Sequence, residues 1–398
     1  MQDETIEILR ALVGFDTTSQ RSNRALIDWV AERLTRQGLD VQIQPGEEAG
    51  KFNLFATIGP ADVPGIILAS HADVASVMDE AWETEPFRLI NHEGRLYGRG
   101  TVDSKGWLAC CLAAVPFLQQ AGLKKPVHLA ISYNGETDMK GMVVLAGHLK
   151  ALPVMPAAAI VGGPTSMRVV TADKGTAIWR VTVQGREVHS SHRHEGVSAV
   201  EIAARIIDHA CKIQKRLESV RDEAFEYPHT SVHVGRINGG HAANIVADRC
   251  EFPIEIRALP GEDAGALMEE IKAFCDGLLV GMRAVDPGCS IEFVPLRNVP
   301  GLTGCNNQAL TAMVAALLDD HQPYRTGFGC EGGVLEQIGI PTVSCGPGNA
   351  MCSHMANESV EISQLADCLK FLKRLGRHLA SSQPLDGAPD PAVAALYR

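Results

Sequence analysis

Three short apolar runs constrain what this chain can fold into more than any other feature. PGIILAS at 64–70 leads straight into His71 and Asp73. PVHLAISY at 126–133 leads into Asn134, Gly135 and Glu136. AAAIVG at 157–162 is the third. Runs this short and this apolar read as strands buried on both faces. Stretches with helical spacing lie between and before them, at 4–14, 22–38 and 104–121. Alternating buried strands and helices predict an α/β fold, with a mainly parallel mixed sheet flanked by helices. In such sheets the ligand crevice lies beyond the carboxyl ends of the strands. The polar residues at these strand ends are therefore placed where chemistry is done.

The pattern changes near residue 175. TAIWRVTVQG alternates with period two, and a helical stretch follows at 196–219. VHVGRING and CEFPIEIRAL are further alternating strands, followed by a helix at 263–280. This order predicts a small α+β domain inserted into the larger one. The expected division is 1–174 and 289–398 for the α/β domain, with 175–288 as an inserted lid and dimerisation domain. A chain of 398 residues suits two domains, since single cores settle at roughly 100–200 residues. PTVSCGPG, near the C-terminus, reads as one more buried strand entering a glycine-rich turn. The tail from 381, rich in Pro, Ser and Ala, reads as a loose extension.

Composition narrows the function classes. The net charge of −11 argues against a nucleic-acid partner, which would want a basic face. The first residues carry acids and lack a basic segment followed by an apolar run, unlike a secretory signal. No stretch approaches 18 apolar residues, so no membrane span is expected. The eleven cysteines have no repeated spacing and suit reduced thiols in the cytoplasm.

The chemistry-bearing residues are His71, Asp73, Asp103, Glu136 and His354. In His71-Ala72-Asp73 an extended backbone would point both side chains the same way. Asp73 could then accept from one imidazole nitrogen and leave the other for a metal. Asp103 lies in GRLYGRGTVDSKGWLA, where Gly94, Gly98, Gly100 and Gly106 allow a tight backbone path. It could bridge two metals, although its place before a long helix equally suits an N-cap. His354 follows CGPGNAMCS. The expectation is one or two divalent metals per chain, with Zn ahead of Mn and Co.

Taken together, the segments 68–107, 130–141 and 343–354 resemble the M20 metallopeptidase and deacylase family in order and spacing. The likeness is strongest to its acetylornithine deacetylase and succinyl-diaminopimelate desuccinylase branch, and it covers nearly the whole chain. ADKG at 172–175, VHSSHRHEGVSAVE and GGHAANIVADRCEFPIEIRALPG resemble the family's lid segments. The resemblance implies that His71 ligates a first metal with Asp73 behind it. Asp103 would bridge, and Glu136 and His354 would complete a second site. It further implies that His189 reaches a partner subunit's site and polarises the reacting oxygen. Asn244 and Arg257 would grip a substrate carboxylate, Arg257 through its planar fork. The implied assembly is a homodimer or larger homo-oligomer. The implied activity is hydrolysis of a C–N bond in a small carboxylate-bearing molecule, by default an N-acyl amino acid.

Two positions depart from the family pattern. The strand end that usually carries two acids reads Gly135-Glu136, so the general-base position is glycine. The G-[ED]-P-T motif reads Gly162-Gly163-Pro164-Thr165, so one first-site ligand is missing. Three readings follow. The chain is a hydrolase with an altered or single-metal site, or with substitutes among Asp173, Glu331, His192, His194 and, less aptly, Cys330. Alternatively it performs another reaction at the remaining metal, such as aromatic aminohydrolysis of a nitroanthranilate type. Or it is a catalytically silent binding protein. If ordinary chemistry was lost, Gly135→Glu with Gly163→Glu should raise deacylase activity.

Overall fold

The computed structural model describes residues 2–78, 80–318 and 322–381. Residues 382–398, which include nearly all of the expected loose tail, lie outside that range. The chain divides into two compact units, one running to Ala172 and resuming at Leu302, the other spanning Asp173–Gly301.

The larger unit is built on an eight-stranded mixed sheet. Its centre is parallel: Val127–Ser132 pairs with Ile66–His71, which pairs with Ala158–Val161, which pairs with Thr342–Ser344. Every residue of these four strands is buried, which is why their sequences are mostly apolar runs rather than alternating. Two antiparallel strands, Phe52–Ile58 and Val41–Pro45, extend one side. A separate three-stranded sheet joins Ile90–His92, Arg95–Tyr97 and Ser359–Glu361.

Helix Lys105–Gln120 is buried nearly all round. It packs against helices Gln2–Val13 and Ile362–Leu379 and against the Ile66–His71 strand. A helix without a polar face has to be enclosed in this way. Trp107 locks it to the sheet: the ring is 1% exposed and its Nε1–H donates to the Ala69 carbonyl at 2.9 Å. Gly162 makes this possible, because a Cβ there would lie 1.9 Å from Trp107 Cδ1.

In the smaller unit, strand Gly175–Gln184 is central. Arg249–Ala258 and Ser290–Val299 pair with it on either side, both antiparallel. Its residues alternate in burial, as the period-two sequence predicts. Helices Ala199–Leu217 and Ala264–Val285 pack against this sheet. The expected boundary at 288/289 needs correction, because Ser290–Val299 belongs to this sheet. Its proline and charges hide it in the sequence. Pro295 is tolerated because the strand is an edge with a register irregularity beside that residue.

Gly162→Ala should destabilise the fold by about 1–3 kcal/mol through overpacking against Trp107. Chemical denaturation monitored by tryptophan fluorescence checks this.

Candidate metal centre

The parallel strands deliver their terminal residues to one edge of the larger unit. His71 is the last residue of its strand, and Glu136 follows the end of Val127–Ser132. Asp103 stands two residues before helix Lys105–Gln120. Its peptide bond to Ser104 is cis, and Ser104 occupies the cap position, so Asp103 is not the helix cap. His354 follows the short turn Ala350–Cys352 in a left-handed conformation, with φ 57°. Such a φ is uncommon for a residue with a side chain, and it costs energy that functional sites often bear.

These four side chains meet. His71 Nε2 is 3.0 Å from Asp103 Oδ1, His354 Nε2 is 2.8 Å from Glu136 Oε2, and the same nitrogen is 3.4 Å from Asp103 Oδ2. Donor atoms of His71, Asp103 and Glu136 all lie within 4.8 Å of one another. Two imidazoles and two carboxylates at this spacing suit zinc and similar divalent ions.

Asp73 faces the His71 ring and does more besides. The His71 Nδ1–H donates to the backbone carbonyl of Asp73 at 3.0 Å, and the carboxylate stands farther off at 3.4 Å. That main-chain bond is what fixes the tautomer with Nε2 facing Asp103. The Asp73 carboxylate instead receives the Gly135 N–H at 2.8 Å, the Glu136 N–H at 3.2 Å and the Ser19 hydroxyl at 2.6 Å. It pins the Gly135-Glu136 turn beside His71.

Glu358 holds the Asp103 loop in the same manner. Its buried carboxylate accepts the backbone N–H groups of Gly100, Val102 and Asp103 at 3.0, 2.8 and 3.2 Å. It also pairs with buried Arg99 at 2.9 Å. Neither Glu358 nor Ser19 stood out in the sequence. Glu358 binds backbone groups and Ser19 the Asp73 carboxylate, all far along the chain, and no local motif announces that.

The electrostatics are those of crowded acids sharing two imidazoles. Burial pushes the Asp103 carboxyl up, but hydrogen bonds from His354 and His71 outweigh it and hold it well below the ordinary range. Burial and repulsion from Asp103 raise Glu136, against the pull of His354. Hydrogen bonds to Asp103 and Glu136 push His354 up to about 10. At neutral pH that imidazole therefore carries a proton which a metal ion must displace.

Gly135 lies against the His71 ring: a Cβ there would sit 2.3 Å from His71 Cγ. The space for an acidic side chain at this strand end is filled by the imidazole. At Gly163 a Cβ would sit 2.6 Å from the Ser344 hydroxyl. The expectation that restoring both acids raises activity overlooks the first of these contacts.

Of the substitutes considered, Glu331 belongs to the larger unit and is 2% exposed. Cys330 beside it accepts the Gly332 N–H at 3.3 Å through sulfur. Asp173 is buried in the smaller unit, and His192 and His194 are exposed there. Within that unit His189 bridges Ile245, and Ser190 N–H donates to the Asn244 carbonyl at 2.9 Å. His189 and Asn244 are thus neighbours. Arg257 lies on strand Arg249–Ala258 and pairs with Glu255 at 2.9 Å.

Comparison with known proteins agrees with this layout. The model of peptidase family M20/M25/M40 matches residues 67–378. Acetylornithine deacetylase of Proteus mirabilis (strain HI4320) is 31% identical over 379 residues, covering 93% of this chain and 95% of that protein. Among solved structures, the M20 family metallo-carboxypeptidase Sso-CP2 from Sulfolobus solfataricus superposes with TM-score 0.75 at 17% identity. The match covers 95% of this chain and 99% of that one. The Bacillus subtilis YXEP protein, a dinuclear metal-binding peptidase of the M20 family, gives TM-score 0.63 at 16% identity. Coverage is 94% and 97%.

Two outcomes are expected. Zinc affinity should tighten as pH rises from 6 to 8, by about tenfold per pH unit for each proton displaced. Calorimetry in buffers of different ionisation enthalpy measures it. Gly135→Glu should weaken zinc binding by about 10–100-fold by displacing His71, rather than restore activity. Equilibrium dialysis decides between these.

Proposed function

The chain belongs to peptidase family M20/M25/M40 and is a metal-dependent hydrolase of C–N bonds, and we propose that it removes the acyl group from an N-acyl amino acid. The observation that carries this reading is the convergence of His71, Asp103, Glu136 and His354 at one strand-end cluster. The 31% identity to an acetylornithine deacetylase supports the choice of substrate class.

In this reading His71, Asp103, Glu136 and His354 hold one or two divalent cations, with zinc preferred because half of the donors are imidazoles. A bound cation there supplies Lewis-acid polarisation of a carbonyl and lowers the pKa of water. The protein supplies the rest. Asp73 and Glu358 keep the ligand loops in place. By resemblance Asn244 and Arg257 would grip the substrate carboxylate, and His189 of one protomer would donate a hydrogen bond to the acyl oxygen in its partner's site as charge develops there. Water adds to the acyl carbon, the C–N bond breaks, and the leaving amine takes up a proton. Gly135 cannot carry that proton, so another group must.

We place the enzyme in the cytoplasm as a homodimer assembled through its smaller unit. In support, all eleven cysteines are free thiols. Among the described residues no helix is long and apolar enough to cross a membrane.

The test is a zinc-, manganese- and cobalt-supplemented screen of N-acyl amino acids with aminobenzoates alongside. Release of free amino acid is expected, with His354→Ala lowering kcat by more than about 100-fold. Turnover of the aminobenzoates alone would instead make the chain an aromatic aminohydrolase, a reaction in which an activated ring needs less help from a base. No turnover of either class would leave a binding protein.

A further inference from the structure

Glu331 is a buried carboxyl for which the cluster described so far has no use. It stands just ahead of helix Gly332–Gln337 and is 2% exposed. Its Oε1 accepts a hydrogen bond from the Ser132 hydroxyl. Its Oε2 is equally buried and has no hydrogen-bond partner among the described residues. A buried carboxylate oxygen left in this way is costly unless a cation or a proton meets it.

Its place in the fold lies beside the metal cluster. Ser132 sits directly opposite His71 in the parallel strand pair, so Glu331 reaches the sheet on the His71 side of the cluster. The missing acid at Gly163 belongs to the same neighbourhood. Gly163 lies against Ser344, at the end of strand Thr342–Ser344. Gly332, the neighbour of Glu331, lies against Thr342 at its beginning. The chain thus lacks a carboxylate at one end of this short strand and buries one beside the other end.

Charge points the same way. Asp103, Glu136 and Glu331 are three acids gathered about His71 and His354. Burial pushes Glu331 up to about 7, and the nearby charges of Asp73 and Asp103 add to that shift against the pull of His71.

We propose that Glu331 replaces the carboxylate lost at Gly163, so that His71, Asp103 and Glu331 hold a second divalent cation beside the one held by Asp103, Glu136 and His354. The proposal rests on the metal-centre reading above and gives that centre two ions. Glu331 stands outside the group whose donors lie within 4.8 Å of one another. The proposal therefore includes a change of side-chain rotamer at Glu331 when the second cation binds.

The experiment is elemental analysis of the full-length protein after zinc loading and desalting, with circular dichroism to confirm folding. Wild type is expected to retain two zinc ions per chain. Glu331→Gln, which keeps the shape and the bond from Ser132, is expected to retain one. Cobalt loading gives an independent readout: a spin-coupled pair in wild type and an isolated ion in the variant, by electron paramagnetic resonance. One zinc per wild-type chain, or two in Glu331→Gln, would overturn the proposal. Should Glu331→Gln not fold, Glu331→Asp carries the test. A second zinc bound at least tenfold more weakly supports the assignment, and unchanged affinity overturns it. None of these measurements uses turnover, so a negative substrate screen leaves the result standing.

Discussion

Concentrated negative charge at the carboxyl edge of a parallel sheet is the constraint on which the rest of this structure depends. Asp73, Asp103, Glu136 and Glu331 are all held in or beside one polar cluster. In a low-dielectric setting they would repel one another by several kcal/mol unless compensated. Part of the compensation is built in. Backbone N–H groups point at Asp73, and buried Lys105 and Lys51 lie near enough to feel its charge. The imidazoles of His71 and His354 serve Asp103 and Glu136. Donor atoms of His71, Asp103 and Glu136 also converge at metal-ligand spacing, and this is what separates the cluster from a structural ion-pair network.

The positions of the ligands were legible in the sequence because a parallel sheet imposes a simple rule. A strand buried on both faces is an unbroken apolar run, and its first polar residue lies at its end. His71 and Glu136 follow that rule directly. Asp103 and His354 do not. They sit on loops, and only the resemblance of GRLYGRGTVDSKGWLA and of the CGPGNAMCSH turn to a known family brought them forward. What stayed hidden was every interaction between side chain and distant backbone. Glu358 reads as an ordinary surface glutamate until the Asp103 loop is seen wrapped around it. Asp73 reads as a partner for the His71 ring, yet its carboxylate chiefly secures the next strand's turn. Strand Ser290–Val299 was missed because an edge strand accepts proline and charge, which in sequence look like the end of a sheet.

The two glycines that depart from the family pattern also look different once their neighbours are known. From the sequence they are losses: a base gone at 135 and a ligand gone at 163. In the structure neither leaves a hole. The His71 ring occupies the space in front of Gly135, and the Ser344 hydroxyl fills that in front of Gly163. Packing at this density means that an acidic side chain cannot simply be placed there. Gly162 makes the same point without any chemistry attached, since its missing side chain is the seat of Trp107.

Glu331 is where these threads meet. A site that loses a ligand and keeps its other donors gains nothing by burying an additional acid unless that acid has a cation to face. Glu331 is buried beside the same short strand that Gly163 borders, and it is hydrogen-bonded to the residue paired with His71. An acid retained there only for packing would be replaced at little cost by glutamine or methionine, which need no counter-charge. An acid retained for a cation has to remain an acid. The distinction lies in the charge of one side chain at constant shape, and it decides whether His71 is the remnant of a vanished site or half of a rebuilt one.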